Sequence, residues 1–275
     1  MRKWKNRMLA GPYIFWMVGF ILIPLFILAY NGFTNAQGEF TLENVLGICK
    51  FSNYMPLLRS LGMSFAVTLL CLVLGFPLAY ILSKYSVNRN SLIVLIFIMP
   101  MWMNFILRTL AWRLLLLNNG MINHVLEMAG LSGMRLINTP FAVILGTAYD
   151  YFPFMVLPVY NALVKIDKDV VWAAKDLGAK DLTVLRRIIL PLSLPGIVSG
   201  ITMVFVPSIS EFVIADMLGG GKVYLIGNVI EQSFNSGYAD YHLGSGLSLI
   251  LMVFVFASMA VFHVFDTEEE GASIW

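Results

Sequence analysis

Residues 141–217 read FAVILGTAYDYFPFMVLPVYNALV (141–164), KIDKDVVWAAKDLGAKDLTVLRRIILP (165–191) and LSLPGIVSGITMVFVPSISEFVIADM (192–217), two long apolar runs around one polar island. A hydrocarbon core about 30 Å thick is crossed by about 20 apolar residues in a helix, and each outer run meets that length. Lipid offers no hydrogen bonds, so each run must satisfy its own backbone as a helix. Four more segments of this kind, 11–31, 60–83, 91–117 and 244–265, predict an all-α membrane protein of about six transmembrane helices. The composition agrees. Hydrophobic residues make up 59% and charged residues 12% of the 275, where a soluble domain carries roughly 25% charge. Mean hydropathy is +0.81. Prolines 24, 77, 100, 153, 158 and 207 fall inside the runs and predict kinks whose freed carbonyls neighbouring helices or a cavity must absorb.

The basic start, Arg2 to Arg7, followed by an apolar run has the outline of a signal peptide. The run from Gly11 to Tyr30 is long enough to span, however, and no A-x-A pattern follows it, so it reads as a first membrane helix. Lys and Arg in the short connections set the orientation. With the N-terminus inside, twelve lie in cytoplasmic segments (Arg2, Lys3, Lys5, Arg7, Lys84, Arg89, Lys165, Lys168, Lys175, Lys180, Arg186, Arg187). Four lie outside (Lys50, Arg59, Arg135, Lys222), and Arg108 and Arg113 belong to the third span. Both termini are therefore expected in the cytoplasm of a multi-pass protein, and the acidic tail (Asp266, Glu268, Glu269, Glu270) does not oppose this.

Several chemistries lack their residues. His124, His242 and His263 are far apart, and Cys49 and Cys71 fall in unlike surroundings, so neither a metal site nor a disulfide is expected. Gly219-Gly220-Gly221-Lys222 is followed by Val223 and lacks the G-x-x-x-x-G-K-[ST] spacing of a phosphate loop. No nucleophile, base or metal set points to a membrane enzyme, and no internal repeat points to a secondary transporter. No linker separates a second domain, so residues 1–275 read as one membrane domain with a cytoplasmic loop at about 165–191.

That loop reads as two short helices with a bend. Asp167 to Leu177 is helix-forming, Gly178 suits a left-handed helix end, and Asp181 is expected to N-cap a basic second helix that ends before Pro191. Physics alone leaves two options open: an amphipathic hairpin on the inner membrane surface, or a docking element whose small residues admit another protein.

The segment Trp172-Ala173-Ala174-Lys175-Asp176-Leu177-Gly178, continuing to Ile188, Leu190 and Pro191, resembles the EAA motif of ABC importer permeases. That motif is E-A-A, three residues, Gly, nine residues, then I-x-L-P. Trp172 stands where the motif has Glu, so this position carries no carboxylate for an ion pair. Pro100–Asn104 with Arg108, Phe152–Pro158, and Leu218–Lys222 with Leu225–Asn228 extend the resemblance to the PotB-type permeases of spermidine/putrescine importers. The resemblance implies a MetI-like permease fold in a prokaryotic cell membrane and a coupling helix that sits in a cleft of an ATPase. Its expected coupling residues are Trp172, Ala173, Ala174, Asp176, Gly178, Ile188, Leu190 and Pro191. It also implies two ATPase subunits that bind ATP and Mg, a second, PotC-type permease and an extracytoplasmic polyamine-binding protein. No cofactor in this chain and no nucleic-acid partner are expected.

Acids within membrane spans are costly and mark function by default. Asp150 lies about ten residues into the fourth span, which at about 1.5 Å per residue is mid-membrane. Glu211 lies in the outer half of the fifth span, and Asp216 lies near its mouth. With Tyr149, Tyr151, Phe152 and Phe212 beside them, they offer carboxylates and aromatic faces to a polycation. Pairing of the acids with Arg108 or Arg113 as structural bridges is the competing reading. A metal ion or an oxyanion is the alternative solute, and basic pathway residues would have favoured the oxyanion.

Overall fold

The computed structural model describes residues 11–84, 99–235 and 240–272, apart from the side chains of Pro100 and residues 263–272. The basic residues Arg2 to Arg7, Arg89, the stretch 91–98 of the expected third span, and the side chains of His263 and the acidic tail lie outside the described residues. The regular structure described is helical, and one isolated bridge joins Thr34 to Phe40. Among the described residues, four helices are long and apolar enough to cross a membrane: α1 (Gly11–Gly32), α2 (Phe51–Lys84), α5 (Pro140–Lys165) and the Tyr241–Phe262 part of α11 (Tyr241–Ala272). A fifth is formed if α7 (Asp181–Leu192) and α8 (Leu194–Ile209), which meet at 64°, count as one bent span.

Two of the six expected spans are broken. Of the third, 91–117, the described part is one tight turn at Met99–Trp102 and then α3 (Phe105–Leu116). Asn104 starts that helix afresh by accepting the Ile106 amide proton at 2.9 Å, which makes it an N-cap and not a helix interior. The fifth, 192–217, ends at Ile209 and resumes as α9 (Val213–Gly219). Between these elements lie α4 (Met121–Met128), α6 (Lys168–Asp176) and α10 (Ile226–Asn235).

The chain forms two compact units. The first comprises residues up to 55 together with 229–254. Here the end of α1 is tied down by side chains: the Asn44 amide donates to the Thr34 carbonyl at 2.8 Å and the Gly32 carbonyl at 3.3 Å. His242 Nδ1 lies 3.0 Å from the Asn31 carbonyl. Carbonyls that the helix end leaves over are thus satisfied.

The second unit comprises residues 56–228 and those after 254. Its centre is α5 against α8, with Met155, Val156, Val159 and Val204 buried between them and Val67, Cys71 and Ala79 contributed by α2. Small residues set this contact, as membrane helix pairs require. A Cβ on Gly196 would stand 2.6 Å from the Pro158 carbonyl oxygen, and one on Gly200 would stand 2.8 Å from Met155 Sδ. Backbone on the far side cannot yield, so Gly196→Leu is expected to separate α5 from α8 and to destabilise the unit by about 1–3 kcal/mol or more. The same measurement of detergent melting should leave Gly62→Ala nearly unchanged, since nothing lies within 4 Å of that position. An unaltered melting point for Gly196→Leu would contradict this packing.

Candidate functional site

The polar loop folds as two helices. Asp167 caps α6 by accepting the Asp169 amide proton at 2.9 Å. The helix ends in a Schellman turn: the Gly178 amide donates to the Lys175 carbonyl at 2.8 Å and the Ala179 amide to the Ala174 carbonyl at 3.0 Å. This pattern puts Gly178 in the left-handed region, at φ +84°, where a Cβ is disfavoured. Asp181 is not the N-cap that the sequence suggested. Lys180 holds that position, and Asp181 is the first residue of α7, where its carboxylate favours the positive helix end and meets Lys175 Nζ at 2.8 Å. That contact lowers the Asp181 pKa and raises that of Lys175. The carboxylate's share of the pairing is present above the ordinary Asp value and fades as pH falls through its lowered one. The lysine's share is present below the ordinary Lys value and fades as pH rises through its raised one. The pair is exposed, so it holds geometry more than stability.

The second loop helix also does not stop before Pro191. It continues to Leu192 because residues Leu185–Ile189 form a wide, π-helical turn in which the Leu190 amide reaches back to the Leu185 carbonyl. Ala174 and Ile188 pack against the core, whereas Trp172, Ala173, Asp176, Leu190 and Pro191 are exposed. On the core side of α6, the ends of α2 and α5 enclose a cavity of about 390 Å³ with α6 and α7.

A second cavity, about 400 Å³, gathers the buried charges. It is lined from α3 by Phe105 and Arg108, from α5 by Asp150, Tyr151 and Phe154, and from the α8–α9 break by residues including Glu211 and Phe212. Arg108 Nη2 lies 3.2 Å from Asp150 Oδ1, and both side chains are about nine-tenths buried. The Tyr151 hydroxyl donates to Glu211 Oε2 at 3.1 Å, and Glu211 Oε1 accepts the Ile214 amide proton at 3.1 Å. One Glu211 oxygen thus caps α9 while the other faces Tyr151. The break itself is covered by the Leu225–Asn228 segment. Gly227 lies against the Ser210 carbonyl, and Asn228 donates to the Phe212 carbonyl at 3.2 Å while accepting the Leu225 amide proton at 3.1 Å.

Of the expected pathway residues, the cavity brings together Asp150, Tyr151, Glu211 and Phe212. Tyr149, Phe152 and Asp216 are not in its lining. Tyr149 stands edge-on to Trp112 at 5.4 Å, Phe152 packs on the core, and Asp216 is exposed on α9. Arg108 belongs to the cavity wall as well as to the ion pair, which its place in an apolar run signalled only as a possible bridge. Gly219–Lys222 forms the end of α9: Gly220, at φ +53°, donates to the Asp216 carbonyl at 3.1 Å.

Residues 71–267 match the family model described as the binding-protein-dependent transport system inner membrane component. The chain belongs to that family. The permease is 36% identical to the spermidine/putrescine transport system permease protein PotB of Haemophilus influenzae over 256 residues, 90% of this chain and 89% of that protein. It is also 36% identical to the protein of the same name from Escherichia coli K12, over 86% of this chain and 89% of that one. Its fold matches a bacterial ABC transporter involved in import of the acidic polysaccharide alginate, with a TM-score of 0.71 and 18% identity over 95% of this chain and 96% of that one. The permease is therefore a multi-pass membrane subunit of an ABC importer, of MetI-like fold, and not itself an enzyme.

Removing one member of the buried pair leaves the other charge uncompensated. Asp150→Asn is expected to destabilise the permease by about 3 kcal/mol, and Arg108→Gln in the same chain to recover most of that loss. Melting curves of the two single variants and the double variant in detergent test this, and additive losses would show that the two side chains act independently.

Proposed function

We propose that this permease carries polyamines of the spermidine/putrescine class inward, driven by ATP hydrolysis in separate subunits. What carries the reading is the 36% identity to the PotB permeases, spread over about nine-tenths of both chains. The cavity chemistry supports it. Arg108 offsets Asp150, which leaves the Glu211 carboxylate as the excess charge among rings of Phe105, Tyr151, Phe154 and Phe212. A carboxylate and aromatic faces suit an ammonium group, and desolvation makes their contact stronger than in water.

In this reading residues 1–275 act as one permease domain with both termini in the cytoplasm, and the solute passes Asp216 first, then Glu211, then Asp150. The α6–α7 loop is the coupling element, with Trp172, Ala173, Asp176 and Gly178 presented to an ATPase and Ile188, Leu190 and Pro191 joining it to α8. The assembly comprises a second, PotC-type permease, two ATPases that hold ATP and Mg, and an extracytoplasmic polyamine-binding protein.

Glu211→Gln separates the charge from the structure, because the amide oxygen still accepts the Ile214 proton. Polyamine uptake by the reconstituted importer should fall at least about tenfold, the cost of losing about 1.4 kcal/mol of cation binding, with melting unchanged. Normal uptake at matched expression would overturn the pathway role of Glu211. The coupling element is tested by Gly178→Asp, which forces a Cβ and a charge onto the φ +84° turn. Membrane insertion should persist while uptake and transport-stimulated ATP hydrolysis disappear. Full uptake by that variant would remove the loop from coupling.

A further inference from the structure

The cavity beside α6 has a composition unlike that of the solute cavity. Its rim carries three lysines, Lys84, Lys168 and Lys175, against the single carboxylate Asp181. Only Lys175 is engaged in a salt bridge among the described residues. Lys84 lies 4.1 Å over the Tyr80 ring, a contact that leaves its ammonium protons available. The floor is apolar, with Leu163, Val184 and Ile189 buried beneath it. Tyr80, Tyr160 and Trp172 complete the wall.

Position fixes what such a cavity meets. Spans α2 and α5 both end in lysine, at Lys84 and Lys165, and the cavity lies at those two ends. Tyr and Trp together with Lys at span ends mark the level of lipid headgroups. Val164, on the cavity wall, is 46% exposed, so the apolar side of the site opens outward at the place where acyl chains begin. Basic pockets between membrane helices at this level take anionic headgroups.

We propose that this cavity binds one anionic phospholipid, with its phosphate between Lys84 and Lys168, the two rim lysines outside the described salt bridges, and the upper part of an acyl chain on the Leu163–Val164 floor. The lipid would contact the core-facing side of α6 through Lys168 and Val171, and so would brace the loop helix against the ends of α2 and α5. The site is independent of which solute is carried.

The test uses the complete importer, purified with its partner subunits and equilibrated with phosphatidylglycerol. Native mass spectrometry counts the lipid retained as detergent is raised. Wild-type complex is expected to keep one phosphatidylglycerol after bulk lipid is gone. Lys84→Gln and Lys168→Gln should each weaken retention about fivefold, and together about 25-fold, the factor that one headgroup-level lysine supplies. Arg186→Gln, outside the cavity lining, should not weaken it. Loss of the retained lipid from wild type, or equal retention by the double lysine variant, overturns the proposal. So does displacement by glycerol phosphate at the concentration where the lipid itself competes, because it would leave the apolar floor without a role. If a partner subunit fills the cavity instead, no lipid is retained by the complete complex, and the proposal fails by the same measurement.

Discussion

A peptide carbonyl in hydrocarbon must find its donor within the protein, and in this permease that constraint decides where helices bend, break and are patched. A proline removes one amide and pushes away the carbonyl four residues before it. Ahead of Pro24 and ahead of Pro191 the chain answers in the same way, with a π-helical turn at Val18–Leu22 and at Leu185–Ile189. In each turn the residue just before the proline reaches five residues back, so the helix keeps its bonding and changes its face. Past Pro207 the answer differs. The helix ends at Ile209, and side chains fix the restart: Glu211 accepts the Ile214 amide proton, and Asn228 adds a second donor to the Phe212 carbonyl, which also accepts the Asp216 amide proton.

This patching is what creates the charged cavity. Irregular backbone at membrane depth is tolerated only where protein or a water-filled space surrounds it. The α8–α9 break accordingly lines a cavity that α3 and α5 help to wall. Once enclosed, the Glu211 carboxylate needs donors on both oxygens, and it has them in Ile214 and Tyr151. Arg108 and Asp150 obey the same rule as a pair, although the buried Arg108 Nε has no hydrogen-bond partner among the described residues. Because one acid is matched and the other is only hydrogen-bonded, the cavity has a direction of charge without an isolated buried ion.

Much of this was legible in the sequence, and the misses have a common cause. Apolar length located α1, α2, α5 and α11, because a span is set by thickness alone. The Gly178 turn was legible because it is local: one residue type, one φ value, two backbone bonds. Hydropathy could not reveal the breaks at Asn104 and at Ser210–Phe212, since breaking residues that are capped by side chains read as ordinary polar insertions in an apolar run. Asp181 falls one residue past the cap position expected for it because a carboxylate is equally at home in the first turn, and its partner, Lys175, sits on the preceding helix. The Leu225–Asn228 segment stood out as a pattern, but its use, an amide returned to a carbonyl sixteen residues earlier, is a tertiary fact.

The two cavities are joined by one rigid pair. Asp150 and Tyr151 lie on the wall of one cavity and Leu163 and Val164 on that of the other, and all four belong to α5. From Tyr151 to Leu163 is about 18 Å of helix at about 1.5 Å per residue, which continues through Pro153 and Pro158. Between those points, Gly200 rests on Met155 and Gly196 on Pro158 and Ala162, so α8 is fixed to α5 over the same length. Close-packed contacts of this kind do not compress. A displacement of α6 and α7 must therefore either carry α5 and α8 with it as one body or be taken up where α7 meets α8 at 64°. That junction is held by Ser193, whose hydroxyl donates to the Leu190 carbonyl at 2.9 Å and whose own carbonyl starts α8 by accepting the Ile197 amide proton at 3.0 Å. With its polar groups satisfied, the bend is a fixed elbow more than a free hinge. In the proposed coupling role, force applied at the loop would reach the Glu211 end through helix packing, with no chain of polar contacts needed between them.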